Sequence, residues 1–384
     1  MFARLLTIAA ISPIVAFATT LAPNPPVPFS FFNAVGSSVT VAGNSSGYMS
    51  IWECTNSNST LWNFSDDNGA TWTPPTYLSV TNHTEVAPWI AANETGFLIV
   101  WCDLPPGRRA GILVSTFSSD NGATWSDPVS IIDGEANVNG PATVVATDSG
   151  FLVTWWQTDN SIQSSFSSNG TSWTSAVTID LDDTDSPQAV PVATSVGDTF
   201  MVTWSTILGN GYSSFSSDQG SHWTEKSTIT NDIPNGQLIW PAQTSDGFMA
   251  VWQNGFGNAY SSFSSNNGAS WGTANLITSG INTGYDPIAV IGTENGFIVT
   301  AHFSNNTGQV SISSDFGQTW NPFVPFTGSY LMNNSIYNCF ADITCGADGC
   351  MITWPDADSN AISAFIPISS ILPIPYLTGG TQFN

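Results

Sequence analysis

One short phrase recurs six times along this 384-residue chain, and that recurrence limits the possible folds more than any single residue does. It reads SDDNGATW at 65–72, SSDNGATW at 118–125, SSNGTSW at 167–173, SSDQGSHW at 216–223, SSNNGASW at 264–271 and SSDFGQTW at 313–320. Its closing tryptophans, Trp72, Trp125, Trp173, Trp223, Trp271 and Trp320, lie 53, 48, 50, 48 and 49 residues apart. A fixed period of this size marks an array of small units, each too small to bury its own apolar face and each completed by its neighbours.

A second element fills the interval. GYMSIW (47–52), GFLIVW (96–101), GFLVTW (150–155), TFMVTW (199–204), GFMAVW (247–252), GFIVTA (296–301) and GCMITW (349–354) are apolar runs of strand length. Such runs read as strands buried on both faces. A third element, of the type Ser164-Ser165-Phe166, precedes the turns. One unit is therefore strand, hairpin, buried strand, loop, strand, turn and outer strand, which is a four-stranded propeller blade. The last unit stops before its turn, while NPPVPFSFF (24–32) resembles the outer strand NPFVPFTGS (321–329) of the sixth. The expected fold is all-β: a seven-bladed β-propeller whose N-terminal strand completes the last blade and leaves no open sheet edge. Counting turns alone would give six blades.

The turn has a local chemistry of its own. An Asp accepts backbone N–H bonds from residues ahead of it, and a Gly two positions later takes positive φ at little cost. The Trp then removes a large ring from water. Asp67, Asp120, Asp218 and Asp315 hold the acidic position, and Asn266 replaces it once. Six scattered copies cannot converge on one substrate, so these carboxylates read as fasteners between blades.

The turn resembles the Asp-box, or BNR, repeat of the sialidase-like β-propeller superfamily, and the likeness runs through nearly the whole chain. The resemblance implies that the boxes lie on the face opposite the active site. It leaves function open, because members include exo-sialidases, other glycoside hydrolases and non-enzymatic binding propellers. Family sialidases hold the substrate carboxylate with three arginines, the first in an Arg-Ile-Pro motif. This chain has no Arg-Ile-Pro, and past residue 18 its only arginines are the adjacent Arg108 and Arg109. Neighbours on an extended strand point to opposite faces, so these two do not make an inward clamp. A hydrolase of another type needs two facing carboxylates. The loops after the second and fourth strands carry Glu53, Asp103, Asp133, Glu135, Asp159, Asp286, Asp356 and Asp358, with nothing to single out a pair.

Composition narrows the partners. The net charge of −24 repels phosphate backbones and anionic lipid, so nucleic acid and bare anionic membrane are excluded as partners. The segment MFARLLTIAAISPIVAFA (1–18) has the layout of a secretory signal peptide, which places the protein outside the cell or at its surface. The expected domains are this leader, a propeller over 19–368 and a tail over 369–384. Cys345 and Cys350 flank a turn and can pair across a hairpin. Cys54 and Cys102 follow Trp52 and Trp101 at nearly equivalent places in consecutive units and form a second candidate pair, with Cys339 left over.

Twelve of the sixteen tryptophans belong to the repeat. Of the rest, Trp89 and Trp240 fall on innermost strands, and with Trp156 they are candidate platforms for a sugar ring, alongside Arg108, Arg109 and Asp286. Asp180, Asp182, Asp183 and Asp185 form an acidic loop, a weak candidate for Ca²⁺ without the glycine and terminal glutamate of an EF-type loop. No other cofactor is expected. The expected function is a non-catalytic scaffold that binds glycan or protein on its loop face, with a glycoside hydrolase as the alternative. The oligomeric state is open.

Overall fold

The structure is a computed structural model describing residues 21–30, 35–54, 57, 59–78, 84–104, 111–132, 138, 142–181, 184–233, 237–283, 288–294, 296–329, 331–332 and 341–367. The leader, the tail, Arg108, Arg109, Asp133, Glu135, Asp182, Asp183, Asp286 and Cys339 lie outside the described residues. Among the described residues there are seven four-stranded antiparallel sheets and no helix. Blades 1 to 6 span 35–77, 84–130, 143–181, 192–230, 240–279 and 288–325, and blade 7 joins 342–367 to Val27–Pro28. The chain is a seven-bladed β-propeller.

The second strand of each blade is the hub of its packing. Trp52, Trp155, Trp204, Trp252 and Trp354 on these strands are fully buried, as are Phe97, Phe151, Phe200, Phe248 and Phe297. Each of these phenylalanines meets an aromatic ring on the third strand of the preceding blade edge-on. The pairs Phe64–Phe97, Phe117–Phe151, Phe166–Phe200, Phe215–Phe248 and Phe263–Phe297 have centroids 5.8–6.2 Å apart. Tyr48–Phe365, at 6.0 Å, repeats the contact between blades 1 and 7. Each pair adds about 0.5–1.5 kcal/mol beyond its buried area. The glycine leading the strand is required by backbone: Gly96 has φ 149°, and a Cβ there would lie 2.1 Å from the Ser118 carbonyl oxygen.

The six turns, one in each of blades 1 to 6, face the blade before. In the second, the N–H and hydroxyl of Thr124 donate to the two oxygens of Asp120 at 2.8 and 2.6 Å, and the Gly122 N–H donates to Ser118 Oγ at 2.8 Å. The turn tryptophan then crosses to the preceding blade. Trp72, Trp173, Trp223 and Trp271 donate their indole N–H to Ser363, Ser115, Ser164 and Ser213 at 3.0–3.1 Å. Blade 1 carries Trp62 where the others carry that serine, and Trp125 meets it edge-on at 5.7 Å. Hydrogen bonds from Thr71 and Thr319 outweigh the upward push of partial burial on Asp67 and Asp315, holding both carboxylates below their ordinary pKa.

The ring closes through the N-terminal segment. Val27 and Pro28 pair with Ser363 and Ile362, and Phe29 N–H donates to the Ala361 carbonyl at 3.0 Å. A proline is tolerated there because the strand is an edge. Phe29, 6% exposed, packs against Trp52 and Trp72. This agrees with the expectation that residues 24–32 supply the missing outer strand. No helix of the described residues is long and apolar enough to cross a membrane.

Candidate functional site: the channel and the loop face

The innermost strands line a central channel enclosing about 420 Å³. Its wall is mostly small or apolar, with Ala42, Ala91, Ala146, Ala193 and Ala242 among its residues. Cross-strand register places Trp89, Thr143, Val192, Trp240, Ala289 and Asp342 at one level, each opposite the residue just before the end-of-strand Trp or its equivalent. Trp89 belongs to blade 2 and Trp240 to blade 5, so their contact crosses the channel. The ring centroids are 5.8 Å apart with planes inclined by 38°, and Trp240 is 6% exposed. The two rings face each other toward the loop-face end, over the cavity below.

Asp342 shares that level. Its carboxylate accepts the N–H of Val41 in blade 1 and that of Ile343, each at 2.9 Å, so it ties blade 7 to blade 1 from inside the ring. Part of its surface meets the channel, yet the surrounding chain desolvates it, and its pKa is pushed up to about 7 by burial against the pull of those two N–H groups.

On the loop face most of the described acids are engaged with backbone. Asp159 accepts the hydroxyl and N–H of Ser161 at 2.6 and 3.0 Å, and these bonds hold its pKa low. Asp356, 4% exposed, accepts the N–H groups of Asp358 and Asn360 at 3.0 and 2.8 Å. Glu53 lies in the seam between blades 1 and 2, accepts the Ala87 N–H at 3.3 Å, and has its pKa raised by burial. In the same seam stands Glu85, 1% exposed, accepting the Thr60 N–H at 2.6 Å. Thr60 is the cross-strand partner of Glu53, and Asp103 that of Glu85, so the three acids converge on one seam. Glu85 precedes the inner strand's apolar run, and the sequence pattern alone did not mark it.

The acidic loop is divided. Asp180 pairs with Lys226 at 3.1 Å, whereas the buried Asp185 accepts the Leu208 N–H at 3.1 Å and the Asn210 amide at 2.8 Å. Trp156 is half-buried at the end of its strand. Cys345 and Cys350 are joined, with Cα atoms 4.0 Å apart. The second expected cysteine pair is corrected: Cys54 and Cys102 are buried free thiols. Their places differ by one residue in register, which turns a side chain to the other sheet face. Cys54 shares a face with Trp52 and packs toward blade 7 with Phe29 and Ala361. Cys102 lies on the face opposite Trp101, shared with Leu98 and Val100, which pack toward blade 3. The two thiols point away from each other.

One part of the loop face breaks the repeat. The hairpin tips between second and third strands are polar in blades 3, 6 and 7, with Thr158–Asp159, Ser304–Asn305 and Asp358. In blades 4 and 5 they carry Ile207, Leu208 and Phe256, which are 45%, 66% and 83% exposed. These tips flank a crevice of about 470 Å³ whose lining includes the exposed Asn231 and Asp232.

No family model matches the sequence, and no curated protein matches it. Solved structures do share its architecture. A lectin, BP39L from Burkholderia pseudomallei, is 13% identical over 88% of this chain and 97% of its own, with a TM-score of 0.65. The GH93 α-L-arabinofuranosidase of Fusarium graminearum, solved with arabinobiose, is 13% identical over 91% and 99%, with a TM-score of 0.53. NanB, solved with optactamide, is 13% identical over 90% and 71%, with a TM-score of 0.51. At that identity, what this chain shares with lectin, glycosidase and NanB alike is the propeller fold.

Proposed function

We propose that the protein is an exported, non-catalytic, glycan-binding propeller of the Asp-box, sialidase-like type. The observation that carries this reading is the occupation of two of the described loop-face acids. Asp159 uses one carboxylate oxygen and Asp356 both to hold their hairpins, while apolar side chains stand uncovered on other tips. A catalytic acid and base must face a substrate, whereas recognition of a neutral sugar needs an apolar platform with a polar rim. The BP39L lectin supports the reading, since the propeller likeness covers 97% of its chain. The Cys345–Cys350 bond supports an oxidising, exported setting. A glycan array probed with the purified protein, run beside a panel of 4-methylumbelliferyl glycosides, tests it. Retention of glycans without release of the fluorophore is expected. A blank array, or release at an enzymatic rate, overturns it.

One observation favours a second reading, a two-carboxylate glycoside hydrolase. Glu85 is buried and Glu53 half-buried in one seam, and partial burial raises the pKa of Glu53, the direction a general acid requires. If fluorophore is released and Glu85→Gln abolishes it, this second reading replaces the first.

A further inference from the structure

We propose that the crevice between the loop-face tips of blades 4 and 5 is the sugar site, and that it takes a neutral pyranose stacked on Phe256. The proposal rests on the glycan-binding reading and names the place and ligand class for it. In a repeat protein, a position that departs from its equivalents and gains no packing is where selection for something other than the fold is visible. Phe256 is such a position. Exposing a large apolar side chain forgoes its burial, and contiguous exposed apolar groups on a soluble protein mark contact sites.

The backbone of the tip is held in place. Phe256 lies between Gly255 and Gly257, whose φ values of 72° and 77° suit glycine, and the buried Asn254 accepts the Phe256 N–H at 3.1 Å. The facing wall is equally tied down: Leu208 N–H donates to buried Asp185, and Gly209 accepts the Ile233 N–H at 3.0 Å. Fixed walls of this kind reduce the ordering cost of binding.

The lining also includes Asn231 and Asp232, both exposed. A pyranose has a C–H face that stacks on an aromatic plane and an edge of hydroxyls that donate to a carboxylate and bond an amide. The crevice offers those surfaces side by side, in a volume of the size that small-molecule sites have. None of its lining residues is basic, and the chain carries a net charge of −24, so an acidic sugar is disfavoured.

The test measures binding of methyl glycosides of neutral hexoses and pentoses, with N-acetylneuraminic acid for contrast, by calorimetry and saturation-transfer NMR. The proteins are the wild type, Phe256→Ala, Phe256→Tyr, Asp232→Asn and, as control, Asp358→Ala on blade 7. A neutral glycoside is expected to bind with its C–H face saturated. Phe256→Ala should weaken it by about tenfold or more, and Phe256→Tyr should keep it. Asp232→Asn should weaken it several-fold, and the control should not change it. Phe256 is solvent-exposed, so circular dichroism should be unaltered. If glycans bind but Phe256→Ala binds as well as wild type, the site is wrong and the glycan reading stands. Tighter binding of N-acetylneuraminic acid than of any neutral glycoside also overturns the proposal. If no glycan binds and Phe256→Ala instead abolishes a concentration-dependent dimer in sedimentation, the crevice joins two copies and both readings fall.

Discussion

Replacing Asp342 by Asn should remove a specific pH dependence from the stability of the ring. Burial raises this carboxyl from 3.8 to about 7 in the folded protein. Between those values the native state binds a proton that the unfolded chain does not. The contribution of this carboxyl to stability is therefore greatest below pH 4 and falls as pH rises toward 7, above which both states are ionised and the loss is constant. At 1.36 kcal/mol per unit the full shift amounts to about 4 kcal/mol. Water in the channel screens the charge and reduces this to about 2–3 kcal/mol. Asparagine has one acceptor oxygen for two N–H donors, those of Val41 and Ile343, so the variant loses about 1 kcal/mol at every pH. The expected variant is slightly less stable than wild type at pH 4.5 and more stable at pH 8. Urea melts at both pH values measure the difference, and the other acids of the chain cancel in the comparison. Parallel pH profiles for the two proteins would refute the reasoning.

Other consequences are as direct. Asp315→Ala removes the acceptor of three hydrogen bonds in one turn and should destabilise by about 1–2 kcal/mol at pH 7. Because that carboxylate is held below its ordinary pKa, the cost should fade in strong acid. Deleting residues 21–30 takes the outer strand from blade 7 and uncovers Trp52 and Trp72. A lower melting temperature and aggregates in gel filtration are expected, and an unchanged monomer with the same melt would contradict closure by that strand. Cys54 and Cys102 should be alkylated only after unfolding, as mapped by peptide mass. Labelling of the native protein at either would show that these thiols are not buried.

The blade count was legible because packing repeats: all seven units need the same buried strand and six of them the same turn, so the pattern survives in sequence. Closure was legible because 24–32 resembles 321–329. What reading along the chain could not supply is direction in space. Trp89 and Trp240 sit equally far before their glycines, yet that they touch depends on the width of the channel. The cysteine pair looked nearly equivalent, and one residue of register turned the thiols apart. Trp62 belongs neither to the turns nor to the second strands, and its place opposite Trp125 shows it standing where other blades keep a serine. Glu85 and Asp342 precede or begin inner strands, where nothing local announces burial. Phe256 was hidden differently: a Gly-Phe-Gly tip is an ordinary loop until it is set beside the polar tips of blades 3, 6 and 7.

The central claim is a propeller that holds sugars and leaves them intact. It is tested most directly by incubating the protein with the oligosaccharides it retains and weighing those recovered by mass spectrometry. Recovery at unchanged mass after prolonged incubation is the predicted result. Shortened chains, appearing in proportion to protein and lost with Glu85→Gln, would contradict it.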